Sequence, residues 1–226
     1  MHGSPPTEKS MMRAAVAARL GALSAEQLRA ASGVVCDRLN ALPEWRTALT
    51  YAGKARGGGG QRGAGSGIML YVAGADEPDV TVLAEEVLRT SRVALPRVTD
   101  WGGRAMDAAW VGNLGLAPAG DLEVTRHGVR QPGAACPAAE VAQIDLCVVP
   151  GRAFDKLCNR LGRGGGFYDV FLERAVFAGP QGRVRDRRPV LVGVCFDEQL
   201  VERVPVGALD VGLDIVVTPS GTYRRQ

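Results

Sequence analysis

Along the chain the spacing of apolar residues changes period several times, and each change marks an element. Thr7 is placed to cap a helix whose Ala-rich pattern runs to Gly21. Ser24 and Gln27 form an S-x-x-Q capping box. Leu28, Ala31, Val35, Leu39 and Leu42 follow at helical spacing, which predicts a second helix with one buried stripe. Ile68 to Ala73 predicts a strand that runs into an acidic turn, Asp76-Glu77-Pro78-Asp79, and a helix from Thr81 to Thr90. Arg92 to Val98 predicts another strand, ended by Pro96. Residues 100–140 show scattered apolar positions among Gly and Pro, a pattern of short elements and long loops in which Trp101 and Trp110 read as packing residues.

The second half is more regular. Ile144 to Val149 is an unbroken apolar run suited to a buried strand, and Pro150-Gly151 breaks it. A helical pattern begins at Phe167 and continues through Phe177. Pro189 to Phe196 predicts a buried strand, Asp197 to Val204 a short helix stopped by Pro205, and Ile215 to Thr218 a last strand. Strands alternating with helices predict an α/β fold, with a mostly parallel sheet covered by helices on both faces. At 226 residues, one domain spanning 1–226 accounts for the chain. The low-complexity run 53–67, GKARGGGGQRGAGSG, reads as a flexible surface insertion: no GK[ST] follows it and no strand-to-helix context surrounds it.

Composition removes several classes of function. The net charge of +3 is too small to argue for nucleic acid, and the basic stretch 183–188 reads as solvated surface. No apolar run approaches a membrane span, and the N-terminus shows no secretory pattern. Five unpaired-looking cysteines fit reduced thiols in a cytoplasmic protein, with an organelle equally compatible. Cys147 and Cys195 read as core residues, and Cys158 as either a core residue or a reactive thiol. Two histidines, His2 and His127, leave almost no material for a Ser-His-Asp triad or a His-rich zinc site.

Chemistry concentrates after the strand at 144–149. Arg160, Leu161, Gly162, Arg163, Gly164, Gly165 and Gly166 lead into the helix starting Phe167-Tyr168-Asp169. Glycines let backbone approach an anion, a helix N-terminus points N–H groups at it, and arginine adds charge-assisted bonds. This is a phosphate or nucleotide site on chemistry alone. Lys9 and Arg13, four apart on the first helix, put two cations on one face, which by spacing alone reads as solvated. The acidic turn suits either ligand binding or a helix start.

VVPGRAFD, NRLGRGGGFYDVFL and PVLVGVCFDEQLVERVPVGALDVGLDIVV together resemble the 5-formyltetrahydrofolate cyclo-ligase family, strongly over 140–218 and moderately at the first helix and the acidic turn. The resemblance implies a three-layer, Rossmann-like fold of the cyclo-ligase type. It also implies ATP- and Mg²⁺-dependent closure of 5-formyltetrahydrofolate, with or without a polyglutamate tail, to 5,10-methenyltetrahydrofolate by a monomer. By position, Lys9, Arg13 and Arg160 through Tyr168 match ATP contacts, with Arg163 the group that stabilises the transferring phosphoryl. Asp169 and Asp210 match Mg²⁺ carboxylates, with Asp214 a further neighbour or a strand cap. Val72, Glu77, Arg163 and Phe167 match the folate side. Three positions differ from the usual pattern: Pro78 in the acidic turn, Cys158 where glycine is common, and Gly165 where some members have lysine. The competing readings are a nucleotide-binding homologue without folate turnover, and a sugar-phosphate or acyl-CoA enzyme on a similar sheet.

Overall fold

The computed structural model describes residues 6–54, 67–177, 188–207 and 210–226. Its helices are α1 (Glu8–Gly21), α2 (Ala25–Ala41), α3 (Pro43–Lys54), α4 (Thr81–Thr90) and α5 (Phe167–Phe177). Its strands are β1 (Gly67–Met69), β2 (Val93–Asp100), β3 (Ala105–Val111), β4 (Leu122–Val124), β5 (Arg130–Pro132), β6 (Ile144–Val149), β7 (Ala153–Asp155), β8 (Arg160–Leu161), β9 (Val190–Val194), β10 (Leu200–Val201), β11 (Ile215–Val217) and β12 (Thr222–Arg224).

Seven strands form the main sheet in the order β12-β11-β9-β6-β1-β2-β3. The five inner strands pair in parallel, and an antiparallel strand closes each edge. Side chains alternate across a strand, so successive residues of β6 enter different layers. Leu146 and Val148 pack with Val35, Leu39, Trp45, Leu83 and Val87 of α2, α3 and α4. Cys147 and Val149 pack on the other face with Phe171 and Leu172 of α5. Each such large side chain taken from water contributes about 1.5–3 kcal/mol, which is why both faces must be covered. This is the predicted three-layer arrangement with a mostly parallel sheet. A smaller sheet, β10-β7-β8, packs under Val16 and Leu20 of α1 through Ala153, Leu161 and Phe196.

The local helix signals hold. Thr7 Oγ1 accepts from the Ser10 N–H at 3.2 Å, and Ser24 and Gln27 form both bonds of their capping box. Four expectations are corrected. β2 runs through Pro96 to Asp100, because Arg92 and Ala94 face β1 and Pro96 therefore points its missing N–H past the end of that short strand. The strand predicted over 68–73 leaves the sheet after Met69, and its continuation lines a cavity instead. Asp197–Gln199 is a single 3₁₀ turn followed by β10; the Asp197 carboxylate is engaged by Ser220 N–H and Oγ, not by a helix. Of the 53–67 segment, Gly53 and Lys54 extend α3 and Gly67 begins β1, since both ends gain regular hydrogen bonds; 55–66 lies outside the described residues, as does most of the basic stretch 183–188.

All five cysteines are buried and unpaired. Burial raises the Cys36 and Cys158 thiols to about 11 and Cys147 to about 12, which settles Cys158 as an inert core residue. Cys158 has φ +64°, the left-handed region that favours glycine, so the usual residue at this position has a backbone reason.

Candidate functional site

Strand order reverses direction between β1 and β6: from β1 the chain moves outward to β2, then returns to the other side for β6, β9 and β11. In an open parallel sheet that point leaves a crevice at the carboxyl ends of the strands. Here it is a cavity of about 490 Å³. Val72, Gly74 and Glu77 enter from the β1 side, and Pro150, Arg160, Gly162, Arg163 and Gly165 through Asp169 from the β6 side. Pro96, Val98 and Met106 supply an apolar wall from the β2–β3 hairpin. The β4–β5 hairpin contributes Gly128 through Gln131, and Gln131 is pinned by its Oε1 accepting from Val98 N–H at 3.1 Å.

The glycine loop is held from below. Asp155 is fully buried and its carboxylate accepts from Leu157, Asn159 and Val204 N–H groups and from Asn159 Nδ2, all within 3.0 Å, so the turn between β7 and β8 is fixed. Gln199, also buried, donates to Gly151 O at 2.9 Å and accepts from Phe196 N–H at 2.9 Å. Above these supports the loop turns at Gly164 (φ +108°) and Gly166 (φ +74°) into α5. Any larger residue there would have to adopt a left-handed backbone.

The cations predicted for phosphate all reach this region, each engaged by a protein acceptor. Arg13 Nε donates to Gly162 O at 2.8 Å. Lys9 Nζ pairs with Asp210 Oδ2 at 2.6 Å. Arg160 pairs with Asp169 through Nη2, contacts Pro150 O, and lies 5.7 Å from the Tyr168 ring. Arg163 donates from Nε to Glu77 Oε1 at 2.9 Å and from Nη2 to Asp76, whose other oxygen takes Arg152 Nη1. Burial works against Asp76 ionising, but hydrogen bonds from Arg163 and Arg152 hold its carboxyl below the ordinary 3.8. Asp210 is lowered in the same way: burial opposes, and the hydrogen bond from Lys9 prevails with help from the Arg160 charge.

Asp169 and Asp210, the predicted Mg²⁺ carboxylates, thus both lie beside Arg160. Among the described residues no group of three or more His, Cys, Asp or Glu gathers to hold a metal. Two hard carboxylates fit an ion that draws its remaining oxygens from phosphate and water, as Mg²⁺ commonly does. Of the two readings of Asp214, the strand cap is the one the geometry supports: it sits at the opposite end of the sheet, taking Arg188 in a two-toothed pair at 2.5 and 2.7 Å and the Leu191 N–H at 2.8 Å. The acidic turn divides its work. Asp79 accepts from Thr81 N–H at 2.9 Å and starts α4, leaving Glu77 to line the cavity and Asp76 to hold Arg163 and Arg152.

Two groups remain unanswered inside the site. Tyr168 Oη and Arg160 Nε are enclosed and have no hydrogen-bond partner. A buried donor left unpaired costs about 1–3 kcal/mol, and a ligand or water in the cavity would relieve it. Burial, reinforced by Glu77, raises the Tyr168 hydroxyl far above the ordinary phenol range, so it stays protonated and able to donate. Trp101, read as packing, lines the cavity, with its ring 5.6 Å from Phe167 edge-on and 4.1 Å from His127. Arg152, Gln199 and Asp155 were also unassigned by sequence. A polar residue breaking an apolar run, as Arg152 does between Gly151 and Ala153, was the available signal.

Residues 61–219 match the pattern of a family described as the 5-formyltetrahydrofolate cyclo-ligase family. A protein from Mycolicibacterium smegmatis named 5-formyltetrahydrofolate cyclo-ligase is 30% identical over 158 residues, 69% of this chain and 74% of the relative. A mouse protein of the same name is 25% identical over 92% of both chains. The solved structure of 5,10-methenyltetrahydrofolate synthetase from Aquifex aeolicus superposes with a TM-score of 0.72 at 29% identity, covering 97% of this chain and 94% of the other.

Proposed function

The chain belongs to the 5-formyltetrahydrofolate cyclo-ligase family and is an enzyme of that class, and we propose that it spends one ATP to close 5-formyltetrahydrofolate to 5,10-methenyltetrahydrofolate. One observation carries the reading: Arg163, from the glycine loop, grips Asp76 and Glu77, from the turn after β1, at the mouth of one cavity. On this reading the phosphate half and the folate half of the site would meet at a single side chain.

The chemistry suits these residues. A formyl oxygen is a poor leaving group until it carries a phosphoryl group. The γ-phosphoryl moves to that oxygen and ADP departs. The N10 lone pair then attacks the formyl carbon, the C–O bond breaks with its electrons leaving on phosphate, and N10 gives up its proton. The nucleophile belongs to the substrate, so the protein needs positioning and charge, not a nucleophile of its own. Arg163 would leave its carboxylates to bind the transferring phosphoryl, its planar fork matching phosphate oxygens. Arg160, Arg13 and Lys9 would hold the rest of the phosphate chain along the loop. Asp169 and Asp210 would hold Mg²⁺, which supplies charge neutralisation between phosphate oxygens. Glu77, freed from Arg163, offers a carboxylate to a pterin's polar edge, while Val72, Met106 and Phe167 enclose its rings.

The test is to mix purified protein, 5-formyltetrahydrofolate and MgATP and to follow the absorbance of the conjugated methenyl product. ATP-dependent product formation is expected. MgATP binding without product would favour the nucleotide-binding homologue.

A further inference from the structure

Resting on the ATP-dependent reading, we infer that Arg104, in the tight turn between β2 and β3, is an additional phosphate-binding residue of this site. The turn is built to aim it. Asp100 Oδ1 accepts from Gly102 N–H at 2.9 Å, and Gly103 lies so close to that carboxylate that a Cβ would sit 2.5 Å from Oδ2. The chain then enters β3 through Arg104 itself, which holds φ +56°, a left-handed conformation uncommon for arginine. Its side chain extends across the cleft to the glycine loop: the point a Cβ would occupy on Gly166 is 3.6 Å from Arg104 Cδ and 3.7 Å from Nη1. On the other flank, the corresponding point on Gly164 is 3.7 Å from Arg13 Cζ. The loop thus runs between two guanidinium groups delivered by elements distant in sequence.

What separates Arg104 from the other cations is its freedom. Lys9, Arg13, Arg160 and Arg163 each bond a protein oxygen. No hydrogen bond or ion pair engages Arg104 among the described residues. An exposed guanidinium laid against the positive-φ Gly166, directly ahead of a helix N-terminus, is geometry for an incoming oxyanion. Gly166, which Arg104 covers, itself lines the cavity, as do its neighbours Gly165 and Phe167.

The test uses the full chain with Arg104→Asn, which tolerates the left-handed backbone but removes the cation, and with Arg104→Lys. The dissociation constant for MgATP is measured by titration calorimetry, and KM for ATP and for 5-formyltetrahydrofolate in the turnover assay. The Asn variant should bind MgATP on the order of 10-fold more weakly, with KM for ATP rising in parallel and KM for folate steady. The Lys variant should recover most of the loss, and melting temperatures should match, because turn conformation is preserved. Unchanged ATP affinity overturns the assignment. So does a rise confined to folate KM, which would put the guanidinium on the folate carboxylates, and so does failure of the unmodified protein to bind MgATP. MgATP binding weakened by the Asn substitution, in a protein without folate turnover, would uphold Arg104 and sink only the proposed reaction.

Discussion

An arginine–carboxylate cluster sits at each end of the sheet, and the two are built differently. At the amino ends of the strands, Arg188 pairs with Asp214 and Arg224 with Glu44, beside a cavity of about 350 Å³. The arginine side chains there are 38% and 48% exposed, and Asp214 uses its spare capacity on the Leu191 N–H. At the carboxyl ends, Arg160 is only 3% exposed, keeps an unpartnered Nε, and stands beside an unpartnered tyrosine hydroxyl and glycines with positive φ. A cluster that satisfies itself ties strands together. One that leaves enclosed donors unmatched is shaped for something else to complete it.

That contrast can be broken by substitution. The largest expected effect is on chemistry: Arg163→Ala should lower turnover about 10²–10³-fold with little change in melting, and unchanged turnover would place the phosphoryl group elsewhere. Next is stability. Arg160→Met removes an enclosed guanidinium together with its bonds to Asp169 and Pro150 O and should cost about 1.5–2 kcal/mol in urea unfolding. Arg188→Met, at the exposed end, should cost under about 1 kcal/mol, and equal losses would erase the distinction. Tyr168→Phe separates ligand binding from folding: stability should stay level or rise by a few tenths of a kcal/mol, while substrate KM rises about 5- to 10-fold. The smallest effect is acidic. Asp76 has a lowered pKa, so its contribution is complete above the ordinary 3.8 and disappears as pH falls through its lower folded value. Asp76→Asn should therefore be less stable than the parent by about 1 kcal/mol at neutral pH, and the two unfolding curves should converge below pH 3.8.

How far the sequence could be read follows from the range of the forces. The caps at Thr7 and Ser24, the strand at 144–149 and the helix beginning at Phe167 are decided by residues within a few positions, and all were legible. The β2–β3 hairpin was obscured because Pro96 looks like a stop until one knows that β1 is too short to need its N–H. The loop's chemistry could be read from its glycines and arginines. Its partners could not: Lys9 meets Asp210 across 201 positions, and Arg163 meets Asp76 across 87. Those pairings follow from strand order, and composition along the chain carries no trace of it. Likeness to a family named residues that the fold gathers around one loop; it left unseen that Arg163 and Asp76 occupy each other, and that no described group pairs with Arg104.

The five buried thiols have a practical consequence. Thiol reagents attack the thiolate, and enclosure together with raised pKa values keeps that form scarce at neutral pH. Alkylation can then proceed only through opening of the chain, so its rate is a clock for local unfolding. The Cys158 thiol lies against Asp214 O and Tyr223 O at the amino end of β11, and Cys195 follows the carboxyl end of β9, so labelling at these two positions, resolved by mass spectrometry, would report opening at the two ends of the sheet separately, and which end a nucleotide or folate steadies, without any turnover being measured.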